Sequence, residues 1–233
     1  MIIFLEGLVL VKVLNIMQKF NIHKAVNLLD SAIKEMKIPY LSKPHIKCDP
    51  FRTLIACILS LRTKDETTYA ASERLFSYAD IPAPMLKLGA EKVAELIYPV
   101  GFYNQKSKQI IEICETLLEK YDGKVPDEID ELLKFKGVGR KTANLVVTEA
   151  FNKPGICVDV HVHRISNRWG YIKTKTPDET EMILRKKLPE EYWINFNRLL
   201  VTYGQNLCYP VSPKCSECKM SSICRKTGVK KMR

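Results

Sequence analysis

Apolar residues along this chain recur at three- and four-residue intervals, and no segment sustains the alternation of a half-buried strand. The pattern predicts an all-α fold. Phe20 to Met36 reads as a first amphipathic helix. Leu41 to Pro50 reads as a linker broken by Pro44 and Pro50. Phe51, Leu54, Ile55, Ile58 and Leu59 then share one helical face. Asp65 is placed to cap a helix running to about Tyr78. Pro82 and Pro84 mark a turn, followed by a short helix from Glu91 to Tyr98 and a loop at Gly101 to Asn104. Ile110, Ile111, Cys114, Leu117 and Leu118 line a helix that Gly123 stops. Further helices are predicted at Asp127 to Phe135 and Arg140 to Phe151, with a tight turn at Lys136 to Gly139 between them. Thr176-Pro177-Asp178-Glu179 reads as a capping box with proline at the first helical position. Two C-terminal helices follow.

The chain has 233 residues, 46% of them hydrophobic, enough for one large domain or two small ones with a real core. The net charge of +11, from 37 Lys and Arg against 26 Asp and Glu, directs attention to a polyanionic partner; a solvated basic surface is the plainer alternative. The basic tail (Arg225, Lys226, Lys230, Lys231, Arg233) is expected to be solvated and disordered. The opening stretch MIIFLEGLVLVKVL is apolar, but Glu6 and Lys12 interrupt it, no basic segment precedes it and no cleavage site follows. Neither a signal peptide nor a transmembrane span is expected, and the protein is expected to be intracellular. An N-terminal helix or an irregular start is the expectation there.

Cys208, Cys215, Cys218 and Cys224 form a C-x6-C-x2-C-x5-C run, with Pro210, Pro213 and Gly204 expected to make turns around it. Nothing else suggests a cystine-stapled secreted protein. Zinc sites usually pair two short clips, and only Cys215 to Cys218 is one. An iron–sulfur cluster is a wider body whose four thiolates tolerate longer intervals, so the spacing favours a cluster while leaving zinc open. Cys48, Cys57, Cys114 and Cys157 lie in apolar runs and are expected in the core. His161 and His163 are two residues apart, a poor arrangement for one metal on a helix, and are expected to be structural or hydrogen-bonding.

The segment LLKFKGVGRKTAN, residues 132–144, places two helices around Lys136-Gly137-Val138-Gly139. Paired glycines permit positive backbone dihedrals and close approach of another backbone. The following helix begins with free N–H groups and the positive end of its dipole, which suits a DNA phosphate held without base contacts. Arg140 and Lys141 add charge. A plain connector between helices is the alternative.

This hairpin, Asp159 in VDVHVHRISNR and the cysteine run together resemble the endonuclease III family, the helix-hairpin-helix DNA glycosylases that carry a [4Fe-4S] cluster. LSLRTKD, from Leu59 to Asp65, and IYPVGFY, from Ile97 to Tyr103, are similar to the same family. The resemblance runs from about residue 20 to Cys224. It implies two helical lobes: a barrel over 46–154 carrying the hairpin, and a second lobe from 15–45 and 155–233 with the cluster loop at 208–224. DNA would lie across the cleft between them, with Lys141 and Asp159 on opposite walls.

The resemblance makes Lys141 the amine that attacks the sugar C1′, expels the base and forms a Schiff base. Asp159 would stabilise positive charge developing on the sugar or move protons; a helix N-cap is its plainer role, compatible with the first. Gly137, Val138, Gly139 and Arg140 would hold the DNA backbone. The base must leave the stack before it reacts. Fillers for the vacated space would come from Arg62, in Ser60-Leu61-Arg62-Thr63-Lys64-Asp65, and from Phe102. Arginine stands at 62 where the family usually has glutamine, and Val160 where threonine is frequent. Arginine offers donors only, which favours guanine as the orphaned partner; the alternative is that Arg62 bonds a nearby phosphate and Phe102 fills the gap alone. Cys208, Cys215, Cys218 and Cys224 would hold the [4Fe-4S] cluster in a loop presenting Lys214 and Lys219 to phosphate. A monovalent cation on the hairpin carbonyls is also implied.

The expected function is a bifunctional DNA glycosylase and AP lyase acting on oxidised pyrimidines in duplex DNA, including abasic sites, as a monomer. A mismatch thymine or adenine glycosylase is the neighbouring alternative; such enzymes commonly lack the lysine found here at 141. A non-catalytic DNA-binding module and a ferredoxin-type carrier are the alternatives outside that class.

Overall fold

The computed structural model describes residues 20–42 and 49–233, and these are helical with connecting loops. The apolar opening stretch, Pro44 and Cys48 lie outside the described residues. No helix among the described residues is long and apolar enough to cross a membrane.

Helix α1, Ile22–Ile33, starts where the Asn21 side chain accepts from Lys24 N–H. Helix α2, Pro50–Ser60, is capped by Asp49 and opens on Pro50. Pro50 therefore begins a helix and does not break a linker, because the first helical position needs no N–H. Helix α3, Asp65–Phe76, has Lys64 at its N-cap without a side-chain bond. Asp65 is not the cap; its carboxylate accepts from Tyr40 N–H at 3.0 Å. Helix α4, Pro82–Ile97, corrects the expected turn at Pro82 and Pro84. Those prolines occupy its first turn, and Gly89, at φ 74°, makes a break within it. Helix α5, Tyr103–Lys120, starts well before Ile110, directly after Phe102. The short α6, Ile129–Leu132, covers only part of its predicted span. Helix α7, Arg140–Phe151, matches expectation residue for residue.

Helix α8, Val160–Arg168, is followed by α9, Pro177–Lys187, and α10, Trp193–Asn206. Thr176 accepts from Glu179 N–H, as a capping box requires, but the Glu179 carboxylate reaches back to Lys175 N–H instead of Thr176 N–H. Gly204 lies inside α10, not in a turn around the cysteines. A side chain there would meet the His161 ring, so Gly204 is what lets α8 and α10 close together.

Two hydrophobic cores form among the described residues. One gathers α2 to α7, with Leu54, Ile55, Ile58 and Leu59 of α2 fully buried at its centre. The other gathers α1 and α8 to α10 around Leu29, Trp169 and Phe196. A polar seam joins them. Glu181 of α9 takes Arg140 and Arg185, Asn144 Oδ1 accepts from Ile156 N–H and Arg185, and Asn197 donates to Cys157 O.

Cys57, Cys114 and Cys157 are buried, as their apolar surroundings predicted. Burial pushes the Cys57 and Cys114 thiols up to about 12 and raises Cys157 well above its ordinary value. The basic tail is ordered, contrary to expectation. Arg233 N–H donates to Pro213 O and Arg233 O accepts from Ser216 N–H, while Thr227 N–H bonds Arg168 O. These bonds fold the tail back onto the cysteine loop.

Candidate active site

A solvent-open cleft of about 230 Å³ brings together Lys141, on the first turn of α7, and Asp159, at the head of α8. Ser60, Thr63, His161, Asn197 and Gln205 also line it. Asp159 is the N-cap of α8: its Oδ1 accepts from His161 N–H at 2.8 Å and Val162 N–H at 2.9 Å. Both capping bonds use one oxygen, so the carboxylate is oriented by the helix while Oδ2 takes no part in the cap. His161 Nδ1 lies 3.0 Å from Arg164 Nη2. Since a guanidinium only donates, Nδ1 is the acceptor and a neutral ring carries its proton on Nε2. Burial lowers the His161 value, and Arg164 and Lys141 add to the effect against the opposing pull of Asp159. Arg164 continues to Cys208 O at 2.9 Å, so bonded groups run from the cleft to the cysteine loop.

The hairpin is built by its glycine and by a side chain from α5. Gly137 has φ 74°, and Gln109 Nε2 donates to Lys136 O at 2.8 Å across the turn. Val138 is buried in the first core and its N–H bonds Phe135 O at 3.0 Å, so neither its side chain nor its amide is offered outward. The first backbone bond of α7 runs from Ala143 N–H to Gly139 O, leaving the N–H groups of Arg140, Lys141 and Thr142 ahead of the ladder. Space around Gly139 is open: a Cβ there would meet nothing within 4 Å. The Arg140 guanidinium holds Glu181 through two bonds, 3.0 and 2.6 Å, and is engaged in joining the two cores. Burial alone would raise the Glu181 carboxyl; the bonds and charges of Arg140 and Arg185 outweigh it and hold it below the usual range.

Arg62 and Phe102 are brought together. Both are exposed, and the guanidinium carbon lies 5.7 Å from the Phe102 ring centroid. Both have left-handed backbone, φ 55° and φ 59°, which costs a residue with a side chain roughly 1–2 kcal/mol. Ser60, Thr63 and Asp65 of the same segment are half-buried at the cleft edge and bonded locally: Ser60 bonds Cys57 O, Thr63 Oγ1 accepts from Gly101 N–H, and Asp65 holds Tyr40. Their bonds fix the loop and leave Arg62 at its tip.

The four C-terminal cysteines surround a further small cavity of about 20 Å³ together with Arg168, Tyr203 and Lys226. None forms a disulfide. Among the described residues no three His, Cys, Asp or Glu side chains are spaced for a single metal ion. Arg168 donates to Cys208 Sγ at 3.2 Å, Lys226 N–H to Cys224 Sγ at 3.3 Å, and Tyr203 Oη lies 3.1 Å from Cys218 Sγ. The Arg168 and Lys226 N–H donors aimed at the sulfurs suit thiolate ligands. Lys214 pairs with Glu217 at 3.4 Å.

The model of the HhH-GPD superfamily of base excision DNA repair proteins matches residues 55–190. Endonuclease III of Thermotoga maritima is 49% identical over 180 residues, spanning 77% of this chain and 84% of that protein. The chain belongs to the endonuclease III family. Endonuclease III of Escherichia coli is 38% identical over 175 residues, 75% of this chain and 83% of that one. Among solved structures, a trapped endonuclease III–DNA covalent intermediate, an estranged-adenine complex, is 32% identical with a TM-score of 0.80 over 90% of this chain and 97% of that chain. In this endonuclease III family member, sequence reasoning missed Lys106, Gln109 and Glu181. Lys106 left a signal: it falls on the buried stripe of α5 with Ile110, Ile113, Cys114 and Leu117.

Proposed function

We propose that the protein is a bifunctional DNA glycosylase and AP lyase that removes oxidised pyrimidines from duplex DNA and then cleaves the strand. The observation that carries the reading is the shared cleft of Lys141 and Asp159, with the hairpin helix starting at Lys141's own turn. The unprotonated Lys141 amine attacks C1′, the glycosidic bond breaks, and the base leaves with a proton. Ring opening leaves a Schiff base between Nζ and C1′. Loss of a C2′ proton then expels the 3′ phosphate by β-elimination. Asp159 stands against the positive charge that grows on the sugar as the base departs. The covalent DNA intermediate of the solved relative fits an amine nucleophile. Lys141 also favours this reading over a mismatch glycosylase.

Phosphate would be held by the amides at the start of α7 and by approach over Gly139, with Arg62 and Phe102 at the vacated base position. Cys208, Cys215, Cys218 and Cys224 would hold a [4Fe-4S] cluster, whose contribution is to fold the loop and not to exchange electrons in the reaction. Two hydrophobic cores among the described residues support domains at about 46–154 and at about 15–45 plus 155–233, with Tyr40 and Cys157 crossing those bounds to pack in the first core. The protein is expected to act as a monomer, and the free thiols suit a reducing intracellular compartment.

Lys141→Gln is expected to abolish borohydride trapping on abasic DNA while the Kd for DNA stays within about threefold. Asp159→Asn keeps a capping oxygen but loses the charge, and is expected to lose roughly 10²- to 10³-fold in excision with little change in Tm. Trapping by Lys141→Gln at the wild-type rate would remove the nucleophile assignment. The purified protein should carry about four iron and four sulfide per chain.

A further inference from the structure

We infer that Lys106 is a positioning residue that locks the Arg62 and Phe102 loops into a single wedge for drawing the base out of the duplex, an inference that rests on the function proposed above. Lys106 is 5% exposed. Its ammonium donates to Leu59 O at 2.9 Å, Leu61 O at 2.6 Å and Thr63 Oγ1 at 3.3 Å. Those three bonds use all three of its N–H groups. No carboxylate is paired with it among the described residues. A buried cation without a counter-charge is costly, so what it holds must matter to the fold or to the work of the protein.

What it holds is the end of α2 and the turn that follows. Leu59 and Leu61 flank Ser60, and the next residue is Arg62 in its left-handed conformation. Lys106 itself sits one helical turn after Phe102, the N-cap of α5. The same side chain therefore ties the helix that presents Phe102 to the loop that presents Arg62. A second contact acts in parallel: Gly101 N–H donates to Thr63 Oγ1 at 3.2 Å. The approach is close enough that a Cβ on Gly101 would lie 2.8 Å from Arg62 O. One turn further along α5, Gln109 holds Lys136 O of the hairpin, and Glu112 pairs with Lys136 Nζ at 2.9 Å. Residues 102, 106 and 109 thus fall on one helical face, and that face sets the wedge and the hairpin against each other.

A helix cap alone would not call for this arrangement. A capping role ends at the carbonyls of α2; the coupling also takes in Thr63, Gly101 and the strained backbones of Arg62 and Phe102. Their stacked side chains stay at the tip only if both loops hold their place.

The test uses Lys106→Met, which fills the volume without the donors, and Gly101→Ala, which keeps Lys106 but forces the two loops apart. Three readouts are taken: excision of an oxidised pyrimidine from duplex DNA, borohydride trapping at a pre-formed abasic site, and fluorescence of 2-aminopurine opposite the lesion as a report of unstacking. Both variants are expected to lose excision by roughly 10- to 100-fold and to lose the fluorescence rise, while trapping falls by no more than about threefold. Equal losses of excision and trapping would make Lys106 a residue of the fold and overturn the inference; so would wild-type behaviour in both variants. If Lys106→Met does not fold, Gly101→Ala decides by the same criteria. Wild-type protein that neither excises nor traps would remove the proposed function itself, a result distinct from active wild type with unaffected variants.

Discussion

The hairpin and the Arg62–Phe102 loops both need positive backbone dihedrals beside the cleft, and they obtain them by opposite means. The hairpin uses Gly137, which adopts φ 74° without steric cost. Arg62 and Phe102 carry full side chains at φ 55° and φ 59°, and Lys106, on the helix that Phe102 caps, ties the Arg62 loop to that helix through Leu61 O. A turn that offers only backbone can be glycine. A turn that must offer a side chain at its tip has to be enforced from outside, at the expense of a buried cation. The hairpin has its own external tie, but it reaches a different core, through Arg140 and Glu181.

The largest effect expected from breaking this contrast is at that tie. Glu181→Ala removes the charged partner of Arg140 and leaves Arg185 hydrogen-bonded to Asn144 alone, and is expected to cost about 2 kcal/mol of stability in urea unfolding. The carboxyl is held below the ordinary glutamate range, so its contribution is fully present above that range and is lost as pH falls through the lowered value. The gap between wild type and variant should therefore close in acid. A gap that persists at low pH would assign the loss to packing instead of charge.

Next in size is the separation of the two glycines. Gly139→Ala meets open space, so stability should change by less than about 0.5 kcal/mol while DNA affinity falls about tenfold. Gly137→Ala forces a strained backbone and drives a Cβ into Gln109, so it should lose about 1 kcal/mol or more of stability along with affinity. Unchanged DNA binding by Gly139→Ala would show that phosphate does not approach there.

The smallest effect is at the wedge tip. Arg62→Gln restores an acceptor, and the rate with guanine opposite the lesion should fall about fivefold relative to adenine. Identical opposite-base profiles would mean that Arg62 serves only to stack on Phe102.

The same contrast explains what the sequence made legible. Helix α7 and its preceding turn were read residue for residue, because glycine spacing and helical periodicity are local signals. Lys141 and Asp159 came from motif resemblance, and the fold brings them to one cleft. Lys106 was passed over because its acceptors lie 47 and 45 residues away in sequence, and a lone lysine on an apolar stripe does not name its partners. Pro82 was misread because proline serves turns and first helical turns equally, and only the tertiary packing of α4 decides between them. The ordered tail escaped notice for a related reason: Arg233 is fixed by Pro213 and Ser216 backbone, which composition cannot show.

The buried thiols have a practical side. Alkylating reagents attack the thiolate, and burial keeps Cys57, Cys114 and Cys157 protonated and enclosed. Cys208, Cys215, Cys218 and Cys224 are only partly buried. Among the described cysteines, a thiol-specific label can therefore reach only the C-terminal loop, and there only thiolates that the proposed cluster does not hold. Site-resolved labelling by mass spectrometry then becomes a direct gauge of whether that loop is intact in a preparation, with no DNA substrate required.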